Sequence, residues 1–129
     1  MRDPHNLRVA EMAMQVAVLT YELTKRLPLE ERYGLMSQMR RAAVSIGSSI
    51  WEGCGRSTDK QFLYFLEVAN ASASELEFQA HLTRRLGFAS ESEVLPLLDA
   101  LSSTRRMLAK LVSNDSSRHA FLYCHPTSD

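Results

Sequence analysis

The sequence is poor in residues that interrupt helices and in residues that build specialised sites. Five Gly and four Pro in 129 residues leave long stretches between turns. Two Cys, at 54 and 124, make no disulfide framework and point to a reducing cytoplasm. No run approaches the ~18 apolar residues that a membrane-spanning helix needs. The N-terminal Met-Arg-Asp-Pro-His-Asn has no apolar signal-peptide core. An excess charge is missing too: 15 Lys+Arg balance 15 Asp+Glu, whereas a nucleic-acid-binding domain is usually strongly basic. No segment alternates apolar and polar residues long enough to make a strand. What is present is a 45% hydrophobic share, ordinary for a globular protein and far above the disordered class. The length suits one domain.

The apolar residues recur with a helical period. From about Leu7 to Leu27, the positions Val9, Ala13, Val16, Thr20, Leu23 and Leu27 step by four and three, and Pro28 ends the stretch. Met12, Met14, Val18, Leu19 and Tyr21 widen that surface beyond one seam. From about Tyr33 to Gly53, Met36, Met39, Ala43, Ile46, Ile50 and Gly53 repeat the pattern. Gly47 inside this helix costs about 1 kcal/mol against Ala, which predicts close approach of another backbone. The Gly-Cys-Gly run at 53–55 ends the helix and leaves Cys54 as a free loop thiol.

The third stretch, about Thr58 to Leu86, opens with the capping pair Thr58 and Gln61 and stops at Gly87. Its seam is Phe62, Phe65, Leu66, Ala69, Ala73, Leu76 and Ala80. The fourth, about Ser92 to Val112, carries Val94, Leu97, Leu101, Thr104, Leu108 and Leu111. Pro96 is tolerated only near a first turn, so a late start or a bend is expected there. Helices joined by loops of roughly 3–8 residues are antiparallel neighbours. The expectation is an all-α, antiparallel up-down-up-down four-helix bundle over residues 1–112, followed by a mobile tail over 113–129.

Two segments carry a family resemblance. Glu30 to Ile46 (Glu-Glu-Arg-Tyr-Gly-Leu-Met-Ser-Gln-Met-Arg-Arg-Ala-Ala-Val-Ser-Ile) with Trp51-Glu52-Gly53 is one. Phe65-Leu66 with Ala-Asn-Ala-Ser-Ala-Ser-Glu-Leu-Glu at 69–77 is the other. Together they resemble the bacterial four-helix-bundle proteins encoded in intervening sequences of large-subunit ribosomal RNA genes. The likeness covers Leu7 to Val112 and rests on Tyr33, Gly34, Leu35, Gln38, Arg40, Arg41, Ser45, Ile46, Glu52 and Gly53, then Ser72, Glu75, Leu76 and Glu77. Ser49 stands where that family usually has Asn, Trp51 where it has a small residue, and Ala71 where Gly is frequent. The resemblance implies a cytosolic oligomeric bundle, a pentamer, without established enzymatic activity. A similar fold occurs in accessory proteins of diversity-generating retroelements, which bind RNA and a reverse transcriptase; that is analogy of fold alone.

Chemistry-bearing patterns are few. A di-iron bundle needs two Glu-x-x-His motifs, whereas Glu77 and His81 are four apart, so neither a metal nor another cofactor is expected. Cys124-His125 has no partner cluster at zinc spacing. No base accompanies Cys54 for nucleophilic catalysis, and no phosphate-binding glycine loop occurs. The expectation is no enzyme and no catalytic residue. The basic pairs Lys25-Arg26, Arg84-Arg85 and Arg105-Arg106 lie late in their helices, where they complement the helix dipole or meet phosphate.

Arg40 and Arg41 sit mid-helix instead. Gln38, Arg41, Ser45 and Glu52 fall opposite the core seam on a helical wheel. Residues 31–56 carry a local charge of +2. Gln38, Arg40, Arg41, Ser45 and Glu52 therefore form a candidate surface for RNA or an RNA-processing protein, with a solvated face and an ion pair inside the bundle as the other readings. A purely protein-binding module without nucleic acid is the rival function, and zero net charge favours it.

Tyr64, Val68, Ala71, Glu75, Phe78 and Leu82 recur on a flank of the third helix distinct from its seam. A helix apolar on two sides must cover both. With Trp51, these residues form the expected interface of a homo-oligomer, and Glu75 is expected to face Arg40 or Arg41 there because an unpaired buried carboxylate costs several kcal/mol.

Overall fold

A computed structural model describes residues 2–124, with side chains through Asn114. The elements are a 3-10 turn at Pro4–Asn6, α1 (Arg8–Thr24), a second 3-10 turn at Leu29–Glu31, α2 (Leu35–Cys54), α3 (Asp59–Arg85) and α4 (Glu91–Cys124). Among the described residues there is no strand.

Each helix packs against its neighbours in the chain, and α1 also packs against α4; the α2–α3 seam is the most extensive. Among the described residues the backbones of the diagonal pairs α1–α3 and α2–α4 stay apart, and side chains of all four helices fill one core between them. That core is built from the stepped seams, except that Met36 and Leu111 are only partly buried against it and Phe65 is half-buried outside it. Val9, Ala13, Val16, Thr20, Leu23 and Leu27 are all buried, as are Met39, Ala43, Ile46 and Ile50 opposite them. Phe62, Leu66, Ala69, Ala73, Leu76 and Ala80 complete it with Val94, Leu97, Leu101 and Leu108. Each large aliphatic or aromatic side chain buried here contributes roughly 1.5–3 kcal/mol. Four buried threonines intrude without an unmet donor. The hydroxyls of Thr20, Thr24, Thr83 and Thr104 donate to the carbonyls of Val16, Thr20, Gln79 and Ala100, four residues back, at 2.7–2.8 Å.

The helix ends follow local chemistry. Thr58 Oγ1 accepts from Gln61 N at 3.1 Å and starts α3, and Gly87 adopts φ 77° just past its end. Helix α4 neither starts late nor waits for Pro96. Ser90 and Glu93 form a reciprocal capping box, Glu93 N donating to Ser90 Oγ at 3.2 Å and Ser90 N to Glu93 Oε1 at 2.8 Å. The helix therefore begins at Glu91, and Pro96 falls in its second turn. The bond from the Ser90 amide holds the Glu93 carboxyl below the usual glutamate range. At the other end α4 continues to Cys124, past Val112 where its apolar seam stops. Residues 125–129, the end of the expected tail, lie outside the described residues.

Two glycine and cysteine expectations are corrected. A Cβ on Gly47 would meet only the Ala13 methyl, at an ordinary 3.8 Å. The close approach is at Gly53 instead, where a Cβ would lie 2.9 Å from Phe65 Cβ and 3.4 Å from the Phe62 ring. Cys54 is no loop thiol. It closes α2 as a buried residue, and burial pushes its thiol pKa up.

Candidate functional site

Helix α2 carries most of the candidate surface residues, and its neighbours divide them. Successive helical residues point 100° apart, so Arg40 and Arg41 turn to different grooves. Arg40 leans on α1: its Nε donates to Thr24 Oγ1 at 2.8 Å, its Nη2 to the Tyr21 carbonyl at 3.4 Å, and its guanidinium lies 4.5 Å from the Tyr21 ring centroid. A cation there suits the C-terminal end of α1. Arg41 leans on α3, where its Nη2 pairs with Glu75 Oε2 at 3.5 Å. One turn further along, the Ser45 and Ser72 hydroxyls share a 2.9 Å hydrogen bond. Glu52 pairs at 2.8 Å with Arg56, just past the end of its helix. Gln38 remains exposed. The expected five-residue surface is thus three separate groups of internal contacts with one exposed amide beside them, and Glu75 finds its arginine within the chain.

The same pairing occupies most arginines. Arg2 meets Asp59 and lies over the Phe62 ring at 3.8 Å, Arg26 pairs with Glu93 at 2.6 Å, and Arg105 pairs with Glu77. Arg106 donates to Ser102 Oγ at 2.9 Å and Ser103 Oγ at 3.2 Å. Glu77 therefore faces α4 while His81, one turn on, lies exposed on α3. No group of three His, Cys, Asp or Glu side chains converges among the described residues.

Two apolar faces remain open to solvent. The first lies between α1 and α2, where Ala10, Ala13, Ala17, Ala43 and Gly47 floor a shallow groove of about 300 Å³. Met14, Val44 and Trp51 line it as well, and Val18 stands exposed nearby on α1. The Trp51 ring meets the His5 ring edge-on, with centroids 5.1 Å apart. The second face is the flank of α3. Tyr64 is 61% and Phe78 65% exposed, with Val68, Ala71, Glu75 and Leu82 between and beside them. Trp51 lies with Val44 on the first face, apart from the α3 stripe. The small-residue groove itself escaped the sequence reading. Its signal was Ala10 and Ala17, at helical spacing on either side of the seam residue Ala13.

Behind the α3 stripe, buried Gln79 donates from Nε2 to Glu75 Oε2 at 3.4 Å, and its Oε1 is buried with no partner among the described residues.

Comparison with known proteins adds the lineage. The family model described as 23S rRNA-intervening sequence protein matches residues 5–110. No curated protein matches the chain significantly. The fold is similar to a solved structure from Bacteroides thetaiotaomicron, described as a protein with unknown function from the S23 ribosomal protein family. The TM-score is 0.75 at 21% identity, over 81% of this chain and 97% of that one. Neither description indicates an enzyme.

Proposed function

This chain belongs to the 23S rRNA-intervening sequence protein family, and from that premise we propose that it is a non-catalytic, self-associating four-helix scaffold of the cytoplasm that binds RNA or an RNA-processing protein. In this reading the helices run up, down, up and down. Contacts that descend on one helix as they rise on the next support it. Between α1 and α2 they join Ala13 to Gly47 and Thr24 to Arg40. Between α2 and α3 they join Met39 to Thr83, Ser45 to Ser72 and Gly53 to Phe65.

The observation that carries the scaffold reading is the pair of unlike apolar faces, one a groove with an alanine floor and the other a flank with a projecting Tyr64. Contiguous apolar surface of this kind marks association sites. Two dissimilar faces on one chain fit a head-to-tail contact, which closes into a ring when the rotation allows; five copies is the ring that the family resemblance implies. Met14, Val18, Val44 and Trp51 of one copy then meet Tyr64, Val68 and Ala71 of the next. Gel filtration with light scattering tests this. The expected result at micromolar concentration is an oligomer that Tyr64→Glu dissociates with helical circular dichroism unchanged, and a monomeric wild type overturns it.

The RNA half rests on the family description. The protein-only reading has its own support: zero net charge, and Arg40 and Arg41 both engaged inside the chain. Phosphate contacts release counterions and weaken steeply with salt. RNA binding that appears at low salt and fades with added salt favours the scaffold for RNA; none at low salt leaves the protein-only reading.

A further inference from the structure

We propose that the last turns of α3 form a surface for single-stranded RNA, with Phe78 stacking on a base and Arg84 and Arg85 meeting the flanking phosphates; this deepens, and rests on, the RNA half of the function proposed above. Phe78, His81, Leu82, Arg84 and Arg85 line one shallow hollow of about 370 Å³ on the outside of α3. Arg84 and Arg85 make no side-chain hydrogen bond or ion pair among the described residues. The nearest acids upstream are already engaged, Glu75 by Arg41 and Glu77 by Arg105, and residues 78–85 contain no acid. The hollow is thus locally cationic in a chain of zero net charge. Two arginines in a last helical turn also suit the helix dipole, but the dipole does not account for a 65% exposed phenyl ring in the same hollow.

The spacing fits a nucleotide step. Phe78 and Arg85 are seven residues apart on one face, about 10 Å along the axis at 1.5 Å per residue. A sugar and its phosphate bridge such a span from a stacked base. Stacking on an isolated ring needs an unpaired base, which favours single strands over duplex. The aromatic face sets no sequence preference, and the two guanidiniums give the salt dependence.

The test is fluorescence anisotropy of the full chain with a labelled, mixed-sequence single-stranded RNA of about twelve nucleotides, within the site sizes of such surfaces, over a series of salt concentrations. The wild type is expected to bind at low salt. Arg84→Gln with Arg85→Gln is expected to lower the salt slope by about 1.4, since each phosphate contact on a single strand accounts for about 0.7. Phe78→Ala is expected to weaken binding about tenfold and Phe78→Trp to preserve it, while a change at exposed Arg8 on α1, Arg8→Gln, leaves affinity unchanged. If the wild type binds and neither change at 78 nor the double change at 84 and 85 matters, this placement is wrong and the RNA reading stands without it. If the wild type binds no RNA at low salt, the RNA reading itself fails. A Phe78→Ala chain that dissociates in light scattering, with RNA affinity indifferent to Arg84 and Arg85, makes the hollow a contact between copies and overturns the proposal. The circular dichroism melt of each variant, expected to match the wild type because Phe78 is exposed, separates these outcomes from unfolding.

Discussion

Both grooves beside α2 contain a glycine of that helix, yet a methyl group added to each meets a different neighbour. At Gly53, on the α3 side, it would sit 2.9 Å from Phe65 Cβ; at Gly47, on the α1 side, the nearest atom is the Ala13 methyl at 3.8 Å. The α3 groove is sealed along its length by the Ser45–Ser72 hydrogen bond and the Arg41–Glu75 pair. The α1 groove is fastened at one end by Arg40 on Thr24 and lies open along its alanine floor at the other. A closed groove stabilises the chain that contains it, and an open one is available to a second molecule. The largest test of that contrast is Gly53→Ala. Overpacking without a flexible neighbour costs about 2 kcal/mol, because the obstruction is the Phe65 Cβ next to its backbone. A urea midpoint that falls with an unchanged slope checks it; an unchanged midpoint means that α2 and α3 part more easily than their contacts indicate.

This difference could not be read from the sequence, and the reason is physical. Stepped apolar positions announce a seam because only one face of a helix can be buried against a core, so Ile46, Ile50, Leu66 and Leu76 were legible residue by residue. Periodicity does not say which neighbour flanks each side of the seam. Gly47 and Gly53 look alike in the chain, and so do Arg40 and Arg41, one residue apart and committed to different helices. The start of α4 was legible in principle, since Ser90 and Glu93 have capping-box spacing, but the proline at 96 drew the start downstream. Cys54 between two glycines resembled a loop; α2 instead runs through it, and the N-terminal segment lies against it, with the Arg2 amide donating to its carbonyl.

Arg40→Ala comes next in size. It removes the fastening of the α1 groove: a charged donor on Thr24, a contact with a terminal carbonyl of α1 and the cover of the Tyr21 ring. Because Thr24 keeps its own bond to the Thr20 carbonyl, no buried donor is orphaned, and the loss is about 1.5 kcal/mol rather than more. Arg40→Lys recovers part of it through the charge but not the ring stacking. Chemical denaturation at fixed protein concentration measures both, since self-association would otherwise shift the midpoint.

Gly47→Ala has the opposite sign to Gly53→Ala. Helix propensity favours alanine by about 1 kcal/mol, and the 3.8 Å separation from Ala13 is ordinary contact. The melting temperature of a dilute sample is expected to rise. If the open groove receives another copy, the added methyl also shallows its floor, and light scattering of the same variant shows weaker association. A stabler chain with unaltered assembly places the contact between copies elsewhere.

The smallest effect belongs to Arg41 and Glu75, the pair that most resembles a designed clasp of the closed groove. Its nitrogen and oxygen are 3.5 Å apart, with the two side chains 66% and 40% exposed. Solvent screens a pair that open, and holding two long side chains together costs rotamer freedom. A double-mutant cycle with Arg41→Ala and Glu75→Ala is expected to give a coupling below about 0.5 kcal/mol, declining further with salt. Glu75 has a second tie, accepting from buried Gln79 Nε2 at 3.4 Å, so Glu75→Ala is expected to cost more than Arg41→Ala even though the two share one ion pair. Removing the carboxylate leaves the Gln79 amide, whose Oε1 already lacks a partner among the described residues, with a donor unmet as well. Equal single-variant losses would mean that the ion pair, rather than the amide behind it, is what Glu75 contributes to the α2–α3 seam.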